Sequence, residues 1–593
     1  MPAKTLMIQG TGSHVGKSVI VAGLCRIFAQ KGYRVAPFKS QNMALNSYVT
    51  RDGGEIGRAQ AVQAQAAGIE PTVDMNPILL KPSEDSVAQV IVLGEPIGNM
   101  TARDYHHFKG SLLDVVKASL YRLRKHFDLV IIEGAGSPAE INLQDQDIAN
   151  MKIAELANAP VILVGDIDKG GVFASFVGTL ELLEKKDRER IAGFIINKFR
   201  GDGRILQPAL AFLEGRTKRP VIGVVPYFEN IFLEEEDGVA LERAEAGCLG
   251  YQVRESTLPR HYQVGGGILP PHLSQHLSQH LSQERDIEIA VIRLPHISNF
   301  TDFDALAQED GVVLKYISSS SRGRMPRLPG KGKHSASASL PGGWGHLASA
   351  LPGRRGHPAP APDLVIIPGS KNTINDLEYL WRTGLANEIL TLAEAGVPIF
   401  GVCGGYQMLG QTILDPYGVE SKRREIRGLG LLNLVTEFDK DKTTCQVEAE
   451  VVSEKGILSA CKGVRVQGYE IHMGRTQPIS KVAEAGCLGY QVDGGILPPF
   501  LILKRGNESV MVKDGAISQD GLVFGTYIHG LFENDSFRKG FVDVLRKRKG
   551  LPPSEERLKT SHFREDREGQ FNKLANLLRH NLDLDLIAGI LEV

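Results

Sequence analysis

Short apolar runs alternate with stretches of helical period along the first 230 residues. The runs are TLMIQG (5–10), RVAPFK (34–39), LVIIEG (129–134), PVILVGD (160–166), IAGFIINK (191–198) and VIGVVP (221–226). Glycine, proline or polar residues follow each run, and then a helix-like pattern, so the order predicts parallel strands wrapped by helices. A second series of the same kind starts at IEIAVIRLP (287–295) and continues through DLVIIPGS (363–370), VPIFGVCGG (397–405) and LVFGTYIHG (522–530). The pattern predicts an α/β protein with two doubly wound domains. The last 50 residues are charged and helical in period, with no candidate catalytic cluster.

Three segments break this plan. AEAGCLGYQV stands at 244–253 and again, identically, at 483–492, and GGILPP follows each copy, at 266–271 and 494–499. HLSQ repeats three times in tandem from His272 to Gln283. Solenoid repeats diverge and recur in series, whereas these are identical, short and isolated, as expected of late insertions into surface loops. Segment 318–362 carries seven Lys and Arg, no acid and many Gly, Pro and Ser, and reads as a disordered basic loop. The expected organisation is therefore a domain over 1–240, a low-complexity insertion over 244–283 and a second domain over 286–540. That second domain has insertions near 318–362 and 482–499, and a helical tail follows over 541–593.

A formal net charge of −1 over 593 residues gives no global basic field, so nucleic acid is not an expected partner. No stretch approaches the ~18 consecutive apolar residues that span a membrane, and no membrane association is expected. The six cysteines include no C-x-x-C pair, which argues against a zinc site or a disulfide framework and for a reducing cytoplasm. A homo-oligomer is compatible with this composition.

GTGSHVGKS (10–18) follows the first predicted strand directly. A glycine-rich turn that opens a helix points backbone amides at an anion. Gly12 and Gly16 shape the turn, Lys17 adds a point charge and Ser18 can ligate Mg²⁺. Five residues separate Gly10 from Gly16, a departure from the strict phosphate-loop spacing. Two further runs end in acids: Glu133 in IIEGAGS (131–137), and Asp166 with Asp168 behind it in LVGDIDKGG (163–171). Carboxylates at the carboxyl edge of a parallel sheet, beside a phosphate loop, are placed to hold Mg²⁺ directly or through water. Glu133 is the first candidate and Asp166 the second.

The variant loop, Lys39 of PFKSQNM and Glu133 of EGAGS resemble the dethiobiotin synthetase type of ATP-dependent, carboxylate-activating domain. The phrases PFKSQNMALNS, MNPILLKP, EGAGSPAEINL, DIAN and NKFRGD narrow the resemblance to the cobyric acid synthases, glutamine-dependent amidases of cobalamin biosynthesis. It extends over nearly the whole chain outside the insertions. The resemblance implies that Lys39 joins Gly12, Gly16, Lys17 and Ser18 around the ATP phosphates.

GVCGGYQMLG (401–410) places Cys403 between glycines, just after an apolar run. A buried cysteine commonly acts as a small hydrophobe. Here Gly401, Gly404 and Gly405 permit a tight strand-to-helix turn, and the amide dipoles of the next helix would favour the thiolate. The phrase resembles the nucleophile turn of class I glutamine amidotransferases, and PGSKNT (368–373) resembles their oxyanion loop. GTYIHGLF (525–532) offers a base, His529, 126 residues after the cysteine. The resemblance implies attack of the Cys403 thiolate on the glutamine amide, with His529 taking and returning the proton. Backbone amides near Gly369 and Gly404 would stabilise the oxyanion. The usual acid two residues after the histidine is replaced by Leu531, so another group must orient His529. Glu470 in GYEIHMGRT is a candidate for that role or for a corrinoid contact, and His472 is read as structural.

On this resemblance the first domain is a phosphate-loop synthetase and the second a class I glutamine amidotransferase. ATP would phosphorylate a substrate carboxylate, a poor acyl donor by itself, and ammonia would displace the phosphate. The implied substrate is adenosylcobyrinic acid a,c-diamide, amidated at its b, d, e and g side chains to adenosylcobyric acid. The small molecules bound are then ATP, glutamine and the corrinoid, which is substrate and not cofactor; Mg²⁺ is the implied cofactor. The rival enzyme is a cobyrinic acid a,c-diamide synthase. A rival of another class is a non-catalytic phosphate-loop ATPase or scaffold, against which Cys403 and His529 together argue.

Overall fold

The computed structural model describes residues 2–84, 86–142, 147–228, 231–234, 286–318, 361–479, 498–553 and 563–592. The copied elements, the HLSQ tract and the basic segment lie, edges apart, outside the described residues.

All six runs of the first series are strands of one parallel sheet. The first strand, Lys4–Gly10, lies between Leu129–Glu133 and Val161–Asp166. Both flanking strands are buried along their whole length, because helices cover both faces of the sheet. The strand order reverses beside the first strand, so the carboxyl ends of these three strands open one crevice. A four-stranded sheet, Gln41–Met43 with Ile78–Glu84, Val87–Val92 and Glu95–Thr101, was not foreseen and adds to this unit.

The second series forms a six-stranded sheet of its own. Ile287–Ile292, Leu364–Ile367, Ile399–Val402 and Val523–Thr526 are the expected parallel strands. Val312–Ile317 joins them at one edge and was not foreseen, although only Lys315 interrupts its apolar residues. A further, mostly antiparallel sheet is built on the long strands Leu434–Val451 and Arg465–Pro478.

The two units meet through buried charge. Glu55 of the first unit is fully buried and pairs with Lys81 at 2.7 Å and with Lys442 of the second unit. Burial alone would raise its pKa, but the two ammonium groups outweigh it and hold the carboxyl well below its ordinary range.

The helical tail returns to the first unit. Phe563–Asn581 packs along the helix Lys17–Gln30, and Phe571, Leu574, Leu578 and Ile587 join the apolar core beneath it. Helices meet this closely at Gly23, where a Cβ would stand 2.3 Å from a Leu578 methyl carbon.

Candidate active site

In the first unit, residues 11–16 turn from the first strand into the helix Lys17–Gln30. Gly16 has φ +99°, and a Cβ there would lie 2.1 Å from the Asn197 side-chain nitrogen, so no larger residue fits. The Lys17 ammonium folds back to donate to the Gly12 carbonyl at 2.9 Å and the Gly136 carbonyl at 3.1 Å. Ser18 Oγ donates to Glu133 Oε1 at 2.9 Å, and Lys39 Nζ reaches the same oxygen at 2.9 Å. Gln63 Nε2 donates to Glu133 Oε2 at 2.5 Å. Burial works against a charged Glu133, yet Lys39, Gln63 and Lys17 outweigh it and keep the carboxyl below its ordinary range.

Gly12, Gly16, Lys17, Ser18, Lys39 and Glu133 thus come together. Asp166 does not share their contacts. It ends the strand on the other side of Lys4–Gly10, where it pairs with Lys198 at 2.8 Å and accepts from the Asp168 amide at 2.9 Å. Ser18 and Glu133 offer adjacent hard oxygens that suit Mg²⁺. Among the described residues no three His, Cys, Asp or Glu side chains cluster to hold a metal, so an ion there needs ligands from a nucleotide or water.

In the second unit, Cys403 stands between the strand Ile399–Val402 and the helix Gly404–Met408. Its φ of 51° with ψ −107° is a conformation that non-glycine residues rarely adopt, and such strain recurs where a turn presents a reactive side chain. The turn is packed to its limit. A Cβ on Gly405 would lie 1.9 Å from the Ile367 carbonyl oxygen, and one on Gly525 2.3 Å from the Tyr406 ring. The Gly404 and Gly369 loops touch: a Cβ on Gly404 would sit 2.9 Å from the Ser370 amide nitrogen, and one on Gly369 3.2 Å from His529 Cε1. The structure therefore brings Cys403, His529, Gly369 and Gly404 to one place.

His529 follows the strand Val523–Thr526 and is 1% exposed. Its Nδ1 shares a 2.6 Å hydrogen bond with Asp302 Oδ2, and Asp302 Oδ1 accepts from the Gly530 amide at 3.1 Å. Burial disfavours the imidazolium, but the Asp302 carboxylate and then the Cys403 thiol outweigh it and raise the pKa to about 10. Tyr469 stacks on the ring, with centroids 5.1 Å apart.

Sequence reasoning missed Asp302, which lies 227 positions before His529. No local phrase marked it: Asp302 lies in the turn Phe300–Phe303, ten residues beyond the strand Ile287–Ile292, whereas Glu133 and Asp166 are the last residues of theirs. Glu470 is not the third member: Arg505 binds both of its oxygens, at 2.8 and 2.9 Å. His472 stacks on Tyr527 with centroids 3.7 Å apart, while the Cys403 thiol donates to the neighbouring Ile471 carbonyl at 3.5 Å.

A phosphate-loop unit joined in one chain to a unit that sets Cys403 beside His529 and the Gly369 loop fits the class of glutamine-dependent amidotransferase ligases. Family models agree with both halves. Residues 6–241 match the CobQ/CobB/MinD/ParA nucleotide binding domain, and residues 288–537 the CobB/CobQ-like glutamine amidotransferase domain. The chain is 45% identical over 589 residues to the cobyric acid synthase of Dehalococcoides mccartyi, covering 99% of this chain and 98% of that one. It is 46% identical to that of Caldanaerobacter subterraneus subsp. tengcongensis, covering 100% and 99% of the two chains. With that of Moorella thermoacetica it shares 47% identity, covering 99% and 97%. The chain belongs to the cobyric acid synthase family.

Proposed function

We propose that this protein converts adenosylcobyrinic acid a,c-diamide to adenosylcobyric acid, amidating the b, d, e and g carboxylates with glutamine as nitrogen donor. The observation that carries this reading is the Cys403–His529–Asp302 arrangement in the same chain as a phosphate loop backed by Glu133 and Lys39. The names of the relatives support the product.

Cys403 is the nucleophile and His529 its base. The sulfur adds to the side-chain carbonyl carbon of glutamine while the oxyanion forms beside the Gly369 and Gly404 amides. The carbon–nitrogen bond then breaks, the His529 imidazolium protonates the leaving nitrogen, and ammonia departs from a thioester. Water, deprotonated by His529, cleaves the thioester to glutamate and restores the thiol. Asp302 does not touch the substrate; it fixes the tautomer and stabilises the imidazolium.

At the other site, the Gly12–Gly16 turn, Lys17 and Lys39 bind the ATP phosphates, and the substrate carboxylate takes the γ-phosphoryl group to give an acyl phosphate. Ammonia attacks its carbonyl carbon, phosphate leaves and a primary amide remains. Ser18 and Glu133 would hold Mg²⁺, with Asp166 behind through water, and the ion would neutralise phosphate charge.

Mass spectrometry of products from purified protein, ATP, glutamine and the a,c-diamide tests the reading. A gain of four amides is expected. Turnover only of the acid that lacks the a and c amides would replace it with the a,c-diamide synthase reaction.

A further inference from the structure

We propose that Asn46 and Arg58, both from the synthetase unit, are positioning residues for the glutaminase base His529. This rests on the reading of Cys403 and His529 above, and it makes the second unit dependent on the first for its chemistry.

His529 is held by two short turns. Phe300–Phe303 carries Asp302, and Leu531–Glu533 follows His529 after Gly530. The first unit grips both. Asn46 Oδ1 accepts from the Phe300 amide at 3.2 Å, and the Ser47 amide donates to Asn299 Oδ1 at 3.0 Å. Asn299 opens its turn at φ +53°, a left-handed conformation that asparagine tolerates better than most residues. Asn46 is 0% exposed and Asn299 1%, so water cannot replace a lost partner.

The second grip is ionic. Arg58 Nη2 donates to Glu533 Oε1 at 3.0 Å, while its Nε pairs with Glu234 at 2.5 Å. Both grips start from one corner, because the Arg58 amide donates to the Asn46 carbonyl at 3.2 Å. Asp302 spans the two turns it helps to hold, with one oxygen on His529 Nδ1 and the other on the Gly530 amide. A shift of either turn therefore reaches the Asp302–His529 bond. The helix Arg58–Ala66 that starts at this corner also carries Gln63, which donates to Glu133 in the phosphate site. One short helix thus touches the phosphate site through Gln63 and the turn after His529 through Arg58 and Glu533.

The test uses the full chain. Glutamate release is followed as kcat, KM and pH profile for wild type, Asn46→Ala, Glu533→Gln and Cys403→Ala, with ammonium-driven synthesis alongside. Asn46→Ala and Glu533→Gln should lower glutaminase kcat, Asn46→Ala by about 10- to 100-fold, with KM for glutamine within about twofold. Both should move the alkaline limb of the profile to lower pH, because a misaligned Asp302 supports the imidazolium less. Glu533→Gln changes one oxygen to an amide in a partly solvated side chain, so it probes the second grip if Asn46→Ala does not fold. An unchanged kcat and limb in folded variants overturns the proposal. So does an equal fall of glutaminase and ammonium-driven synthesis with the limb in place, which would mark a purely structural role. Glutaminase activity surviving in Cys403→Ala would instead sink the underlying reading.

Discussion

Replacing Asp302 by Asn removes one charge and little volume. The carboxylate lies 2.6 Å from His529 Nδ1 in a buried site, and it is the largest influence raising the proton affinity of the ring. Two unit charges about 4 Å apart at an effective dielectric of ~20 interact by roughly 4 kcal/mol. That corresponds to about three pH units. Asp302→Asn removes the largest influence that opposes burial, and the alkaline limb of glutaminase activity should drop from near 10 by about that much. An amide in this position also fails to hold one tautomer, so kcat at neutral pH should fall by about 10²- to 10⁴-fold. The pair has a signature in stability as well. A histidine whose pKa is raised on folding stabilises the protein fully below its ordinary value, and that stability is lost as pH rises through about 10. Melting temperature against pH should lose this alkaline decline in the variant. Glutamate release measured across the pH range, beside ammonium-driven synthesis as a control for folding, is the assay. A folded variant with the wild-type limb would refute the role given to Asp302.

Cys403→Ala should abolish glutamine-dependent synthesis and leave synthesis from high ammonium largely intact; loss of both in folded protein would place the thiol in the synthetase site. Lys17→Ala should do the reverse, stopping synthesis from either nitrogen source while some glutamate release continues, and unchanged ATP affinity would remove the phosphate loop from the mechanism. Gly23→Ala pushes a methyl group to within 2.3 Å of Leu578. Overpacking of this kind costs about 1–3 kcal/mol, to be read as a lower denaturation midpoint, and a neutral result would mean that the tail helix is free to give way.

Much of the architecture was legible because parallel strands buried on both faces write themselves as continuous apolar runs. VILVGD and LVIIE could hardly be anything else. Val312–Ile317 was passed over although only Lys315 interrupts its apolar residues, and the long antiparallel strands lay hidden because charged and polar residues interrupt their apolar positions. Cys403, His529 and the phosphate loop were legible from local phrases, since tight turns around reactive atoms demand glycine. Asp302 was not, because its partner is brought to it by the fold across 227 positions. Asp166 stands at a strand end, as the pattern placed it, but the fold pairs it with Lys198 on the neighbouring strand, a contact that no local phrase announces.

The return of the tail bears on how the chain is made. A ribosome completes the strands of the first sheet early, yet the apolar face of Lys17–Gln30 waits for Leu574 and Leu578, which emerge only after the second domain. The first domain to be synthesised is thus the last to be finished, and until then it exposes surface that invites aggregation. A premature stop codon shortly before residue 563 would strip that cover. Its damage would reach the nucleotide-binding end of the molecule, far from the break in the gene, and through the lost Arg567–Glu234 pair it would also loosen the Arg58 grip on the His529 turn.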